Sequence, residues 1–216
     1  MPRPPVSSGP SIVAAEPLRL IVVRHGATAL TGKVYNGCGV GAADPALSEP
    51  SRRELLGLDC PPAVDRIAAA TSPARRARQT IDELVANWRL EPRGDPEIVE
   101  ALAEVDFGEW EGRSAAKVRA EDPQRWRDWL SDPTVSPPKG SALAERADAL
   151  RGYLSRLQSS PLRTWLLVGH ASTVRLVVAQ VLRLPLTEVQ RISVRPGGWC
   201  DVRIWADGGS CLDRLG

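Results

Sequence analysis

The 216-residue chain is long enough for one domain with a sizeable core, and its 43% apolar and 25% charged content is that of an ordinary water-soluble fold. A formal net charge of +2 is too small to argue for nucleic acid or an acidic membrane surface as partner. No apolar run approaches the ~18 residues of a membrane span. Lysine occurs only at positions 33, 117 and 139, so an anion site in this chain must rely on arginine. The four cysteines, Cys38, Cys60, Cys200 and Cys211, lie far apart without a CxxC pair and read as reduced thiols of a cytoplasmic protein.

In chain order, residues 1–17 are rich in Pro and Ser and read as a flexible leader, lacking the continuous apolar core of a secretory signal. A single domain is expected over 18–216. LRLIVVR (18–24) has the composition of a short buried strand, stopped by Gly26. DRIAAAT (65–71) is a weaker strand. It leads into Ser72-Pro73, which has the form of an N-cap followed by a first-turn proline. From Pro73 to about Trp88, Ala77, Ile81, Leu84 and Trp88 make one apolar helical stripe. Leu143, Leu150, Leu154 and Leu157 make another, over 143–157. Residues 131–141 read as a surface loop. TWLLVG (164–169) is a second firm strand, with a third apolar helix over 171–184. In the tail, QRISVR and WCDVRIW alternate around Pro196-Gly197-Gly198 and look like a strand pair. Strands alternating with helices of this length predict an α/β domain with a mostly parallel sheet.

The chain has two histidines, and each follows a firm strand: His25 after LRLIVVR, His170 after TWLLVG. Ligands of open α/β sheets bind at the carboxyl ends of strands, so both imidazoles belong to one candidate site, with Arg24 adjacent. No His or Cys spacing suits a metal. At a third strand-to-helix junction, TSPARRARQT puts Arg75, Arg76 and Arg78 at a helix start, where an anion is favoured. Spacing does not choose among the three. ALAEVDFGEWEG (101–112) presents Glu104, Asp106, Glu109 and Glu111 from a turn beside aromatic rings, a setting for a carboxylic acid that donates a proton. Two imidazoles, guanidiniums and an acid suit a dianionic phosphate ester. Arginine neutralises the oxygens, a neutral histidine attacks phosphorus, and the acid protonates the leaving oxygen.

These segments resemble the histidine phosphatase (phosphoglycerate mutase-like) superfamily. VVRHGAT is similar to its RHG signature and RRARQT to its R-A-x-Q-T helix start. LAEVDFGEWEG is similar to its phosphatase-type loop, and LLVGHASTVRL to its second-histidine segment. The resemblance implies a three-layer α/β/α sandwich with a mostly parallel central sheet and no metal or organic cofactor. It implies His25 as the phosphorylated nucleophile, and Arg24, Arg76 and His170 as the phosphate pocket, aided by the backbone N–H of Ala171. Glu104 is implied as the proton donor. It chooses Arg76 over its neighbours.

Departures fall around this core. Ala27 stands where many members have Glu or Gln, Thr31 where Asn is frequent, and Ser51 where a glycine is common; Lys139-Gly140-Ser141-Ala142 lacks a glutamate. Substrate contacts are expected from Thr31, Tyr35 and Asn36 within 27–41, and from 113–140. There Trp126 and Trp129 read as packing a short helix on the core rather than as a substrate platform. The expectation is a phosphoric monoester hydrolase of the histidine acid phosphatase type acting on a small metabolite, similar to α-ribazole phosphatase-like members. A homodimer is admitted as its assembly. A phosphoglycerate mutase-type transferase is the runner-up, and a non-catalytic phosphate-binding module the third reading.

Overall fold

The computed structural model describes residues 16–39, 41–62 and 66–216. The segment read as a leader lies outside the described residues except for Glu16 and Pro17. A seven-stranded sheet forms the middle layer: β1 (Leu18–Arg24), β2 (Arg66–Thr71), β3 (Glu91–Pro92), β4 (Glu97–Ile98), β5 (Thr164–Gly169), β6 (Trp199–Ile204) and β7 (Ser210–Leu215). The order is β3-β2-β5-β1-β6-β7, with β4 also paired to β2. All pairs from β3 to β1 are parallel, whereas β6 runs antiparallel to both β1 and β7. The expected α/β class with a mostly parallel sheet is what forms.

Strand residues alternate between two cores. Leu18, Leu20 and Val22 of β1, with Leu167 of β5, meet Leu150, Leu154 and Leu157 of α5 (Leu143–Gln158) and Val174, Val177 and Val178 of α6 (Ala171–Val181). On the opposite face Ile21, Val23, Leu166 and Val168 meet Leu55 of α1 (Glu49–Leu56) and Ala77, Ile81 and Leu84 of α2 (Arg75–Asn87). Helices on both faces make the three layers. The apolar stripes read from the sequence are the stripes that are buried. Two short helices, α3 (Ala115–Glu121) and α4 (Pro123–Ser131), pack on each other, and α4 sets Trp126 and Trp129 against Tyr35.

Two local expectations are corrected. QRISVR is not a strand: Leu186–Arg191 is a 3-10 turn and 192–195 is irregular. Both neighbours of β6 are already supplied by β1 and β7. The segment's carbonyls are instead taken by arginines, Val194 O by Arg24 Nη1 at 2.6 Å and Ile192 O by Arg175 Nε at 2.8 Å. Ser72 is not the N-cap of α2, which begins at Arg75 after Ala74 and has no side-chain cap. Its hydroxyl has another partner, described below. The helix over 143–157 extends one residue further, and that over 171–184 ends at Val181.

Candidate active site

Register explains why the two histidines meet. Arg24 of β1 is level with Gly169 of β5, and Thr71 of β2 is level with Val168. Three adjacent parallel strands therefore end together, and the next residues, His25, His170 and Ser72, stand side by side at the carboxyl edge. The imidazole centroids are 4.9 Å apart and near perpendicular. Gly169 has to be glycine, because a Cβ there would lie 2.5 Å from Thr173 Oγ1 and force α6 away. Thr173 Oγ1 accepts the His170 N–H at 3.0 Å and fixes the start of α6.

His25 is buried, and its tautomer is set by its neighbour. Nδ1 lies 2.7 Å from the Gly26 carbonyl, so Nδ1 carries the proton and donates it. The lone pair is left on Nε2, which accepts the Arg76 Nε–H at 3.3 Å. Burial first, then the Arg76 and Arg24 charges, push the His25 pKa down to about 3 against the opposing Gly26 bond. The ring is held neutral. His170 is 1% exposed and is also pushed well below its ordinary value, by burial and then by His25 and the arginines. Its Nε2 pairs with Ser72 Oγ at 2.8 Å and its Nδ1 with Arg76 Nη2 at 3.4 Å.

Arg76, 2% exposed, is the guanidinium that links the site. Besides touching both rings, its Nη2 donates to the carbonyls of Asn36 and Gly37, each at 3.2 Å. That loop is held by Glu111, whose carboxylate accepts the N–H groups of Gly37 at 2.9 Å, Phe107 at 3.1 Å and Gly39 at 3.3 Å. Gly37 is irreplaceable in this packing, since a Cβ would sit 1.9 Å from Val105 O. Arg24 donates from Nη1 to Val194 O, while its Nε is buried with no hydrogen-bond partner among the described residues. Burial lowers the pKa of both arginines, and the nearby Glu104 charge opposes that shift.

Arg24, His25 and Arg76 open onto a cavity of about 150 Å³ that is also lined by Thr31, Tyr35 and Glu104, among others, whereas His170 and Ser72 line the space on the other side of Arg76. A family model, the histidine phosphatase superfamily (branch 1), matches residues 20–214. The chain belongs to that superfamily. A bifunctional protein of Mycobacterium tuberculosis is 28% identical over 207 residues, covering 94% of this chain and 51% of that protein. The chain thus spans about half the length of this relative. The adenosylcobalamin/alpha-ribazole phosphatase of Salmonella typhimurium is 28% identical over 192 residues, covering 87% and 91% of the two chains. A solved structure titled mycobacterial hydrolase 1 superposes with a TM-score of 0.76 at 24% identity, covering 92% of this chain and 97% of the other.

The candidate site brings His25, Arg24, Arg76, Glu104, Thr31, Tyr35 and Asn36 to one cavity, with His170 and Ala171 lining the spaces beside it. Arg75 and Arg78 do not enter the cavity; Arg76 does. Of the four acidic residues in the loop, Glu104 lines it, Glu111 holds the loop, Asp106 accepts the Gly108 N–H at 2.7 Å, and exposed Glu109 pairs with Lys139. Thr31 lines the cavity, yet its Oγ1 already accepts the Thr28 N–H at 2.9 Å. Asn36 contributes its carbonyl to Arg76. Tyr35 stands among Phe107, Trp110 and Trp129, its hydroxyl accepting the Trp126 Nε1–H at 3.0 Å. Ala171 opens α6 directly after His170. Ser51, a departure from the family pattern, accepts the Ala27 N–H at 2.6 Å and so fixes the turn after His25. Ser72 and Glu111 were missed as site-building residues: the cap-like sequence of one and the acidic-loop setting of the other each pointed to a more ordinary role. No cluster of His, Cys, Asp and Glu suited to a metal ion occurs among the described residues, and no helix there is long and apolar enough to cross a membrane.

Proposed function

We propose that this protein is a phosphomonoesterase that hydrolyses a small phosphorylated metabolite through a phosphohistidine on His25. The observation that carries this is the state of His25: a neutral imidazole whose proton is committed to Gly26 O, leaving Nε2 as the nucleophilic atom beside two guanidiniums. A phosphate oxygen is a better acceptor for a guanidinium than an imidazole is. Bound between them, it takes the Arg76 Nε–H and releases the Nε2 lone pair. It also gives the buried Arg24 Nε the acceptor it lacks.

Nε2 then attacks phosphorus, the P–O bond to the leaving alcohol breaks, and the Glu104 carboxyl gives its proton to that oxygen. In the second step water attacks the phosphohistidine while the Glu104 carboxylate takes the water's proton. The P–N bond breaks and its electron pair returns to Nε2. Arg24 and Arg76 neutralise the charge on the nonbridging oxygens, so the scheme needs no metal ion. The Ser72 hydroxyl can accept from Nε2–H of His170 or donate to a bare Nε2. In the free site Arg76 Nη2 can only donate to a bare Nδ1, which leaves the His170 proton on Nε2 facing Ser72. Once phosphate draws off the guanidinium, a hydroxyl that donates to Nε2 leaves Nδ1–H for the phosphate, which makes Ser72 the residue that sets the useful tautomer.

The test is a phosphate-release screen over sugar phosphates, nucleotides, phosphoglycerates and α-ribazole phosphate, beside His25→Ala. Release by the wild type with a loss of at least ~10³-fold in the variant is expected. Equal turnover by His25→Ala would refute the scheme. Interconversion of phosphoglycerates with little free phosphate would favour a mutase instead. Tight phosphate binding without any turnover would favour a binding module.

A further inference from the structure

Behind Glu104 lies a second cavity, of about 160 Å³, that the chemistry above does not use. Tyr35, Glu104 and Phe107 line both cavities, so the second opens from the side of the site where the leaving oxygen must meet its acid. Its wall is largely apolar, including Trp129, Leu143 and Val189. Besides Tyr35 and Glu104, the polar side chains that break it are Ser172, Arg175 and Gln190. Ser172 is 6% exposed, and its hydroxyl is buried without a hydrogen-bond partner among the described residues. Arg175, half-buried, is fixed by Nε to Ile192 O at 2.8 Å and by Nη1 to Gln190 Oε1 at 3.0 Å. Neither bond uses Nη2.

Charge accounting gives this arginine a purpose. The site holds three guanidiniums, Arg24, Arg76 and Arg175, and Glu104 interacts electrostatically with each. A phosphate dianion occupies Arg24 and Arg76. When Glu104 is present as the neutral acid that the first step requires, Arg175 is left half-buried with no anion beside it, which is unfavourable. The substrate itself can supply one.

We propose that the cavity bounded by Arg175, Ser172 and the aromatic wall of Phe107 and Trp129 is the leaving-group subsite, and that it selects phosphate esters whose alcohol carries a carboxylate on an apolar or ring-shaped body. The carboxylate meets Arg175 Nη2 and the Ser172 hydroxyl, and the body packs on the rings. Trp129 thus acts as a substrate platform and not, as its sequence suggested, as core packing: α4 has no buried residue. This rests on the phosphomonoesterase reading and adds a substrate class to it. Arg175 acts here as a specificity residue.

The experiment compares 4-carboxyphenyl phosphate with 4-carbamoylphenyl phosphate, which has the same shape without the charge. Wild-type kcat/KM should favour the carboxylate by roughly ten- to a hundredfold, the worth of one charged hydrogen bond. Arg175→Met should bring the ratio near one, and Arg175→Lys should retain part of the preference. A ratio is read, so any loss of folded protein in a variant divides out. A wild-type ratio near one, with both esters hydrolysed, overturns the subsite and leaves the phosphomonoesterase reading intact. A preference that survives Arg175→Met overturns it as well. Failure to hydrolyse either ester overturns the subsite, and the phosphomonoesterase reading falls only if the phosphate-release screen is negative as well.

Discussion

Three glutamates of one loop should respond to removal in three different ways. Glu104→Ala takes away the group that faces the cavity but only one local hydrogen bond, from the Val105 N–H at 3.0 Å. It should lower kcat by about 10²- to 10⁴-fold, the range for a positioned general acid, with little change in melting temperature. Glu111→Ala strips the acceptor from three backbone N–H groups, those of Gly37, Phe107 and Gly39. At about 1 kcal/mol for each partly buried donor, the cost is ~3 kcal/mol, or roughly 6–12 °C for a domain of this size. Its kcat/KM should also fall, because the freed loop carries the carbonyls that hold Arg76. Exposed Glu109 contributes only a surface pair with Lys139, and its removal should change neither quantity. Thermal unfolding and phosphate-release kinetics on the three variants decide the matter. A Glu111→Ala protein that melts like the wild type, or a Glu104→Ala protein that keeps its turnover, would refute the assignment.

Acid should destabilise the fold through both histidines. Each is buried neutral with its pKa lowered, His25 to about 3, so between pH 6.5 and 3 the unfolded chain binds a proton that the folded one refuses. Stability contributed this way is complete above the unfolded value of about 6.5 and declines as pH falls, by up to ~1.4 kcal/mol per pH unit for each ring. Urea midpoints at pH 7 and pH 4.5 should fall further apart for the wild type than for His25→Asn or His170→Asn; equal separations would contradict the burial argument. Ser72→Ala should lower kcat/KM about 10-fold, the worth of a hydrogen bond that fixes a tautomer, and weaken inhibition by inorganic phosphate. Unchanged phosphate inhibition would remove Ser72 from that role.

Features set by neighbouring residues were legible in the sequence. The apolar runs 18–24 and 164–169 are strands with those limits, and the residues after them are the paired histidines. The apolar stripes of α2 and α5 are buried as read. What escaped depends on partners far along the chain. Ser72 has the local form of a helix cap, yet its hydroxyl is held by His170, 98 residues away. Glu111 serves Gly37 across 74 residues. The tail alternates like a strand, but whether it pairs depends on which edge of β6 is open, and neither edge is. Periodicity carries no trace of such contacts. The choice of Arg76 over Arg75 and Arg78 came from family resemblance, and the geometry supplies its physical basis: only this side chain points back between the two imidazoles.

The most direct test of the central claim is to catch the covalent intermediate. Wild-type protein mixed with a labelled phosphate ester and quenched in alkali within milliseconds should carry acid-labile, alkali-stable phosphate on the peptide containing His25, attached at Nε2. With an ester whose leaving group needs no protonation, such as 4-nitrophenyl phosphate, Glu104→Gln should accumulate it, because the group that activates water is missing while the first step no longer depends on the acid. Label on another residue, or full turnover with no labelled protein at any quench time, would contradict the account.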